Sequence, residues 1–372
     1  MEKKEFNVSE VLSIMLQTSS KELFDLCNTR FSGLYEGDKA NDNHTQLKLL
    51  EVPKLEPKPK KVLREITIPE YCVYDENTFY IVQGRRYVSI PFEDIGKKNT
   101  LEIKFEKGFP VDWIRRLIDD ILAFHVTGFG MSFIHAACLT GDKKELIIPA
   151  WRGTGKTSLA LSLLQSGYFE YKAEDQFFIN RNGDCFIYND ACHVDSKHMK
   201  AFPQIKNKYN SPLYAIRTLI ASMLLPILPP INVAFEFARR IVLKLLSPKV
   251  FVKIGDFLPE MRISHEKGKK PIVIQVITQP DIDKASVSKV DNEVVGDSIL
   301  GGMQYERLDL YPYYYAWVYA TGKRNEYIDN VNIIERDIIQ SALKDARCYV
   351  INVPIGYDWN KNMENVYSLI NN

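Results

Sequence analysis

Six cysteines in 372 residues, Cys27, Cys72, Cys138, Cys185, Cys192 and Cys348, include no CxxC pair. That scatter excludes a disulfide scaffold and a paired zinc site, and leaves free thiols. An excess of one charge is also missing. Lys and Arg number 48 against 47 Asp and Glu, a formal net charge of +1, so no whole-surface field draws a polyanion and nucleic acid is not an expected partner. The opening MEKKEFNVSEVL lacks the apolar core and small-residue cleavage site of a secretory signal, which points to the cytoplasm. There is no internal repeat and no long low-complexity tract.

Long apolar runs are scarce too, with one exception. Residues 214–246, from Tyr214 to Leu246, are strongly apolar between Arg217 and the basic residues Arg239, Arg240 and Lys244, but Pro226, Pro229 and Pro230 interrupt them. The pieces fall well short of the roughly 20 residues that cross a bilayer as a helix. Basic flanks around an apolar helical pair suit a buried or homo-oligomer interface, or attachment at the periphery of a membrane.

What the chain has is core material, with 45% apolar and 12% aromatic residues, enough for one large domain or two ordinary ones. Val8, Val11, Leu12, Met15, Leu16, Leu23 and Leu26 have helical spacing and predict a helix over 5–29. The polar GDKANDNHTQ follows, and VPKLEPKPKK reads as an extended connector. REITI, FYIVQ, YVSIPF and LEIKF then predict a small, mostly antiparallel sheet, so residues 1–108 form an N-terminal helix plus a β-rich module. Residues 109–372 read as an α/β domain, with an apolar helical insertion at about 211–258.

Within that domain VDWIRRLIDDILAFHVTG predicts a helix with Trp113, Leu117, Ile118, Ile121, Leu122 and Phe124 on its apolar face. FIHAACL and ELIIPA predict strands, TSLALSLLQSG a helix ending at Gly167, and FFINRNGDCFIYN a hairpin turning at Asn182-Gly183. KPIVIQVIT, IIERDIIQSALKDA, CYVINVP and NMENVYSLI supply a strand, a helix, a strand and a helix. Cys192, His193, Asp195 and His198 bring metal-binding side chains close together, but a second pair is missing and the stretch reads as a polar loop after a strand.

Between ELIIPA and the following helix lies Ala150-Trp151-Arg152-Gly153-Thr154-Gly155-Lys156-Thr157, a P-loop pattern with alanine in place of the first glycine. Strand, glycine loop and helix are the context that this pattern requires. Gly153 and Gly155 let successive N–H groups turn toward phosphate oxygens, and the helix that continues through Ser158 adds its positive end. Lys156 supplies a mobile charge, the Thr157 hydroxyl suits Mg²⁺, and Arg152 adds charge inside the loop. A nucleoside triphosphate site also needs carboxylates for the metal and a base for an acceptor hydroxyl, and Glu174-Asp175 stand where the chain returns after the P-loop helix.

These parts resemble the C-terminal domain of the HPr kinase/phosphorylase family and the wider group of HPr-kinase-like proteins. The resemblance rests on a strand carrying His135 in Phe133-Ile134-His135-Ala136-Ala137, the P-loop, the helix ending in Ser166-Gly167, and Ala173-Glu174-Asp175 where the family usually has Ala-Asp-Asp. It covers about residues 109–205 well, and ALKDARCYVINVPIGYD more loosely. It implies an α/β fold related to phosphoenolpyruvate carboxykinase, with ATP and Mg²⁺ as cofactors and phosphoryl transfer to a hydroxyl. It further implies that Asp175 holds the metal with Thr157, that Glu174 is the base, and that His135 lies near the phosphates. Two departures stand out: Glu174 is a methylene longer than the family's aspartate, and the Glu-Ile-Arg-Gly-Leu-Gly signature of true HPr kinases is missing, Glu260-Met261-Arg262 being a faint echo. The expected function is a kinase acting on a small molecule, a peptide or a protein serine rather than on HPr; the alternatives are an ATP-binding regulatory or scaffolding protein and a simple P-loop NTPase.

Overall fold

The computed structural model describes residues 1–35, 44–57, 61–64, 71–75, 78–141, 144–151, 153–189, 191–194, 220, 223, 250–256, 258, 260–265, 271–359 and 362–371. Its first elements correct the helix expected over 5–29. Phe6, Val8, Leu12, Ile14 and Leu16 are all buried, an alternation of period two, and they form the hairpin β1 (Glu2–Ser9) and β2 (Leu12–Thr18). Positions 8, 11, 12, 15 and 16 satisfy helical spacing as well, and burial of one strand face wins. The helix is confined to α1 (Lys21–Phe31), where Ser20 accepts the Leu23 N–H through its side chain.

The hairpin continues into an eight-stranded sheet with β3 (Thr45–Val52), β4 (Lys61–Arg64), β5 (Tyr71–Tyr74), β6 (Phe79–Gln83), β7 (Arg86–Ile90) and β8 (Thr100–Glu106), in the order β1-β2-β3-β8-β7-β6-β5-β4. This sheet is larger than expected, and β3 is parallel to both of its neighbours. REITI falls mostly outside the described residues.

After the sheet, α2 (Val111–His125) forms as its apolar face predicts. Its last residue ties it to the sheet: the Gly96 N–H donates to His125 Nδ1 at 3.0 Å, while Nε2 lies 2.7 Å from the Thr45 hydroxyl, itself a donor to the Asn99 carbonyl. With Nδ1 accepting, Nε2 carries the proton and the ring is neutral. Burial pushes the pKa of His125 down to about 4. Arg30 of α1 reaches Asp119 of α2 at 2.7 Å, both side chains being largely buried.

The second sheet contains β9 (Met131–Gly141), β10 (Lys144–Pro149), β11 (Glu170–Ala173), β12 (Gln176–Asn180), β13 (Cys185–Ile187), β16 (Ile272–Gln279), β17 (Ser286–Lys289) and β18 (Arg347–Pro354). Its order is β13-β12-β9-β10-β16-β18-β17, with β11 beside β9; β10, β16 and β18 are mutually parallel. In the hairpin of β12 and β13 the Gly183 N–H donates to Asn180 O, and Gly183 takes a φ of +82°. Helices α3 (Lys156–Gln165), α4 (Asn292–Glu306), α5 (Tyr311–Thr321), α6 (Glu326–Asp329), α7 (Val331–Ala342) and α8 (Glu364–Asn371) complete this part. Ile134, Ala136, Cys138 and Val273 pack with Val295, Ile299 and Met303 of α4 and Ile338 and Ile339 of α7. Strand alternation therefore turns His135 to the opposite face.

By its contacts the chain divides into Met1–Asp190 with Arg262–Asn372, and Ala191–Met261. Position 108 lies inside the first unit, where one apolar core runs from Phe6 and Leu49 through Ile118 to Phe178 and Trp317. In the second unit the described strands are the antiparallel β14 (Ala191–Val194) and β15 (Val250–Lys253), with a 3₁₀ turn at Ile254–Asp256. Cys192 and His193 thus belong to a strand and not to a polar loop, while Asp195 and His198 lie outside the described residues. So does the 214–246 segment, apart from Ile220 and Met223. No helix among the described residues is long and apolar enough to cross a membrane. The architecture is mixed α/β.

Candidate functional site

The loop that joins β10 to α3 is fixed at both ends. Ala150 forms a parallel bridge with Val276 of β16, and Thr154 bonds back to the Trp151 carbonyl through its amide at 3.3 Å and its hydroxyl at 2.7 Å. Gly153 and Gly155 take φ values of +81° and +100°, a left-handed backbone that side-chain-bearing residues rarely adopt. Gly155 stands at the N-cap of α3 without a side chain to cap it, so the first-turn N–H groups keep no ligand from that position. Ser158 lies in that first turn, its carbonyl accepting the Ser162 hydroxyl at 2.8 Å. Arg152 lies outside the described residues.

From the start of α3, Lys156 turns inward. Its Nζ lies 2.6 Å from Asp175 Oδ1 and 3.0 Å from His135 Nε2, and His135 Nε2 lies 3.5 Å from the same carboxylate oxygen. The Thr157 hydroxyl donates to Glu174 Oε1, and Glu174 is buried. His135, Lys156, Thr157, Glu174 and Asp175 therefore converge at one place, although they come from β9, α3 and the bend between β11 and β12. The partners differ from the expected division of labour: Thr157 meets Glu174, and Asp175 meets Lys156 and His135. A cation, a hydroxyl and two carboxylates beside a glycine loop can bind a polyphosphate, share a divalent cation and accept a proton.

The carboxylates reach this place through an irregularity in β11. Tyr171 pairs with Leu139 and Ala173 with Cys138, so Lys172 is an extra residue opposite β9. Its side chain is buried in an ion pair with Glu145, which also receives the Thr140 hydroxyl at 3.1 Å and the Cys138 thiol at 3.4 Å. Cys138, Glu145 and Cys185 lie close enough together to suggest a metal site. Lys172 already compensates the carboxylate, however, and burial pushes the Cys138 thiol well above its usual value, so the cluster is a sealed polar core.

Two aromatic pairs flank the loop, and the P-loop pattern implies neither. Trp151 meets Tyr305 of α4 with ring centroids 5.0 Å apart, and the rings are exposed, at 55% and 49%. Past β18, Tyr357 meets Trp359 edge-on at 4.9 Å. Trp359 is buried, and its Nε1 lies 2.8 Å from where a Cβ on Gly155 would stand. Nothing in local spacing links residues so far apart in sequence. The chain matches no family model and no curated protein.

Proposed function

We propose that this protein is an ATP-dependent phosphotransferase of the HPr-kinase-like type, with a hydroxyl-bearing acceptor. The observation that carries the reading is the convergence of Lys156 and Thr157, at the start of a glycine-capped helix, on two adjacent carboxylates and a histidine. The N–H groups of the loop and of the first turn of α3 hold the phosphates, and Lys156 exchanges Asp175 for phosphate oxygens. Mg²⁺, held by Thr157 and one carboxylate, supplies charge neutralisation. The contact between Thr157 and Glu174 favours Glu174 on the metal side. Asp175, beside His135, then takes the proton of the acceptor hydroxyl as its oxygen bonds to phosphorus and the bond to ADP breaks. This reverses the roles that the resemblance implies.

Two variants test both the function and the assignment. Asp175→Asn is expected to keep MgATP affinity and lose about 10²- to 10⁴-fold in turnover, whereas Glu174→Gln weakens Mg²⁺-dependent nucleotide binding. The opposite pattern restores the roles implied by the resemblance. With labelled ATP and cell extract as the acceptor source, loss of γ-phosphate without any labelled product would replace the kinase by an NTPase, and binding without turnover would replace it by a regulatory protein.

A further inference from the structure

If Glu174 and Asp175 mark the γ-phosphate side of the loop, the base of the nucleotide lies on its other side. The strand order gives that side a location. The carboxylates follow β11, which lies beside β9 on one side of β10, whereas β16 and β18 lie on the other. On that second side the Thr278 hydroxyl of β16 faces the Thr154 carbonyl at 3.5 Å, and the turn after β18 brings Trp359 against Gly155. In this turn the Tyr357 N–H donates to the Pro354 carbonyl, Gly356 takes a φ of +77°, and Ile355 is exposed. Tyr357 is thus held edge-on by a buried indole that itself touches the loop, and it is only partly covered.

We propose that Tyr357, positioned by Trp359, is the stacking surface for the nucleobase of the bound nucleotide. The inference rests on the phosphate-binding reading of the loop and adds what that reading lacks, a recognition element for the base. Every base has a π face, so a single aromatic platform accepts purines without reading their edges, and MgATP and MgGTP are expected to bind with similar affinity.

Calorimetry on the full chain with MgATP, MgGTP and magnesium tripolyphosphate tests this, because the last ligand has phosphates and no base. Tyr357→Ala is expected to weaken both nucleotides by about tenfold or more and to leave tripolyphosphate binding unchanged. Tyr357→Phe should restore nucleotide affinity, and Tyr357→Leu, which keeps apolar bulk, should not. An equal loss for tripolyphosphate would make Tyr357 a prop of the loop and overturn the proposal. So would unchanged nucleotide affinity in Tyr357→Ala, or a base-selective loss in Trp151→Ala instead. Wild-type protein that binds tripolyphosphate, with nucleotide affinity independent of Tyr357, would keep the loop reading and reject this one; wild-type protein that binds neither ligand would reject both.

Discussion

Two buried lysines, both serving the same stretch of sheet, have opposite surroundings. The Lys172 and Glu145 side chains are 1% and 0% exposed, and the carboxylate is saturated by a hydroxyl and a thiol besides the ammonium. Lys156 is 8% exposed, but its partner Asp175 is 34% exposed, and the pair opens on a glycine loop. The first pair is closed to any ligand. The second holds charges in place while leaving one side on which a ligand can substitute. Burial of a charged pair therefore marks a site only where one partner still reaches water.

This contrast makes predictions in which the cost in stability falls as the openness of the group rises. Glu145→Ala leaves Lys172 buried without compensation and is expected to cost about 3–5 kcal/mol, read from urea unfolding. The double variant Glu145→Gln with Lys172→Met should recover most of that loss; failure to recover would mean that the pair itself, and not its completeness, stabilises the core.

His125 is a sealed group of a different charge type. Folded His125, with its pKa near 4, binds fewer protons than unfolded His125, with a pKa of 6.5, so stability falls as the pH drops through that window. The loss is about 3 kcal/mol by pH 4 and is fully absent above 6.5. Unfolding at a series of pH values checks it, and the step should vanish in His125→Gln.

Lys156→Ala comes last. Its removal leaves Asp175 to water and is expected to change stability by less than about 1 kcal/mol, while tripolyphosphate binding is lost. Unchanged tripolyphosphate affinity in this folded variant would remove the distinction between the two lysines.

The same contrast explains what could be read from the sequence. The loop was legible because left-handed positions demand glycine and a phosphate site demands lysine and threonine beside them, all within a few residues. Glu174 and Asp175 were legible by their return after α3. Their partners were not, since which acid meets Thr157 depends on the irregularity at Lys172. Trp359 was invisible as the partner of Gly155, and Tyr357 with it, because only the order of the strands brings the turn after β18 there. At the other end of the chain, residues 6–16 satisfied two periodicities at once, and the sheet that buries Leu12, Ile14 and Leu16 decides between them.

The irregularity at Lys172 has a consequence of phase. A regular strand is a two-state counter, in which each residue added or removed exchanges the faces of all that follow, and a bulge is the place where one count is absorbed. Lys172 is that extra count, one residue ahead of the two acids. Deleting it would leave Tyr171 and Ala173 opposite Leu139 and Cys138 in unbroken pairing, so Glu174 and Asp175 would keep their places while Glu145 lost the ammonium that neutralises it.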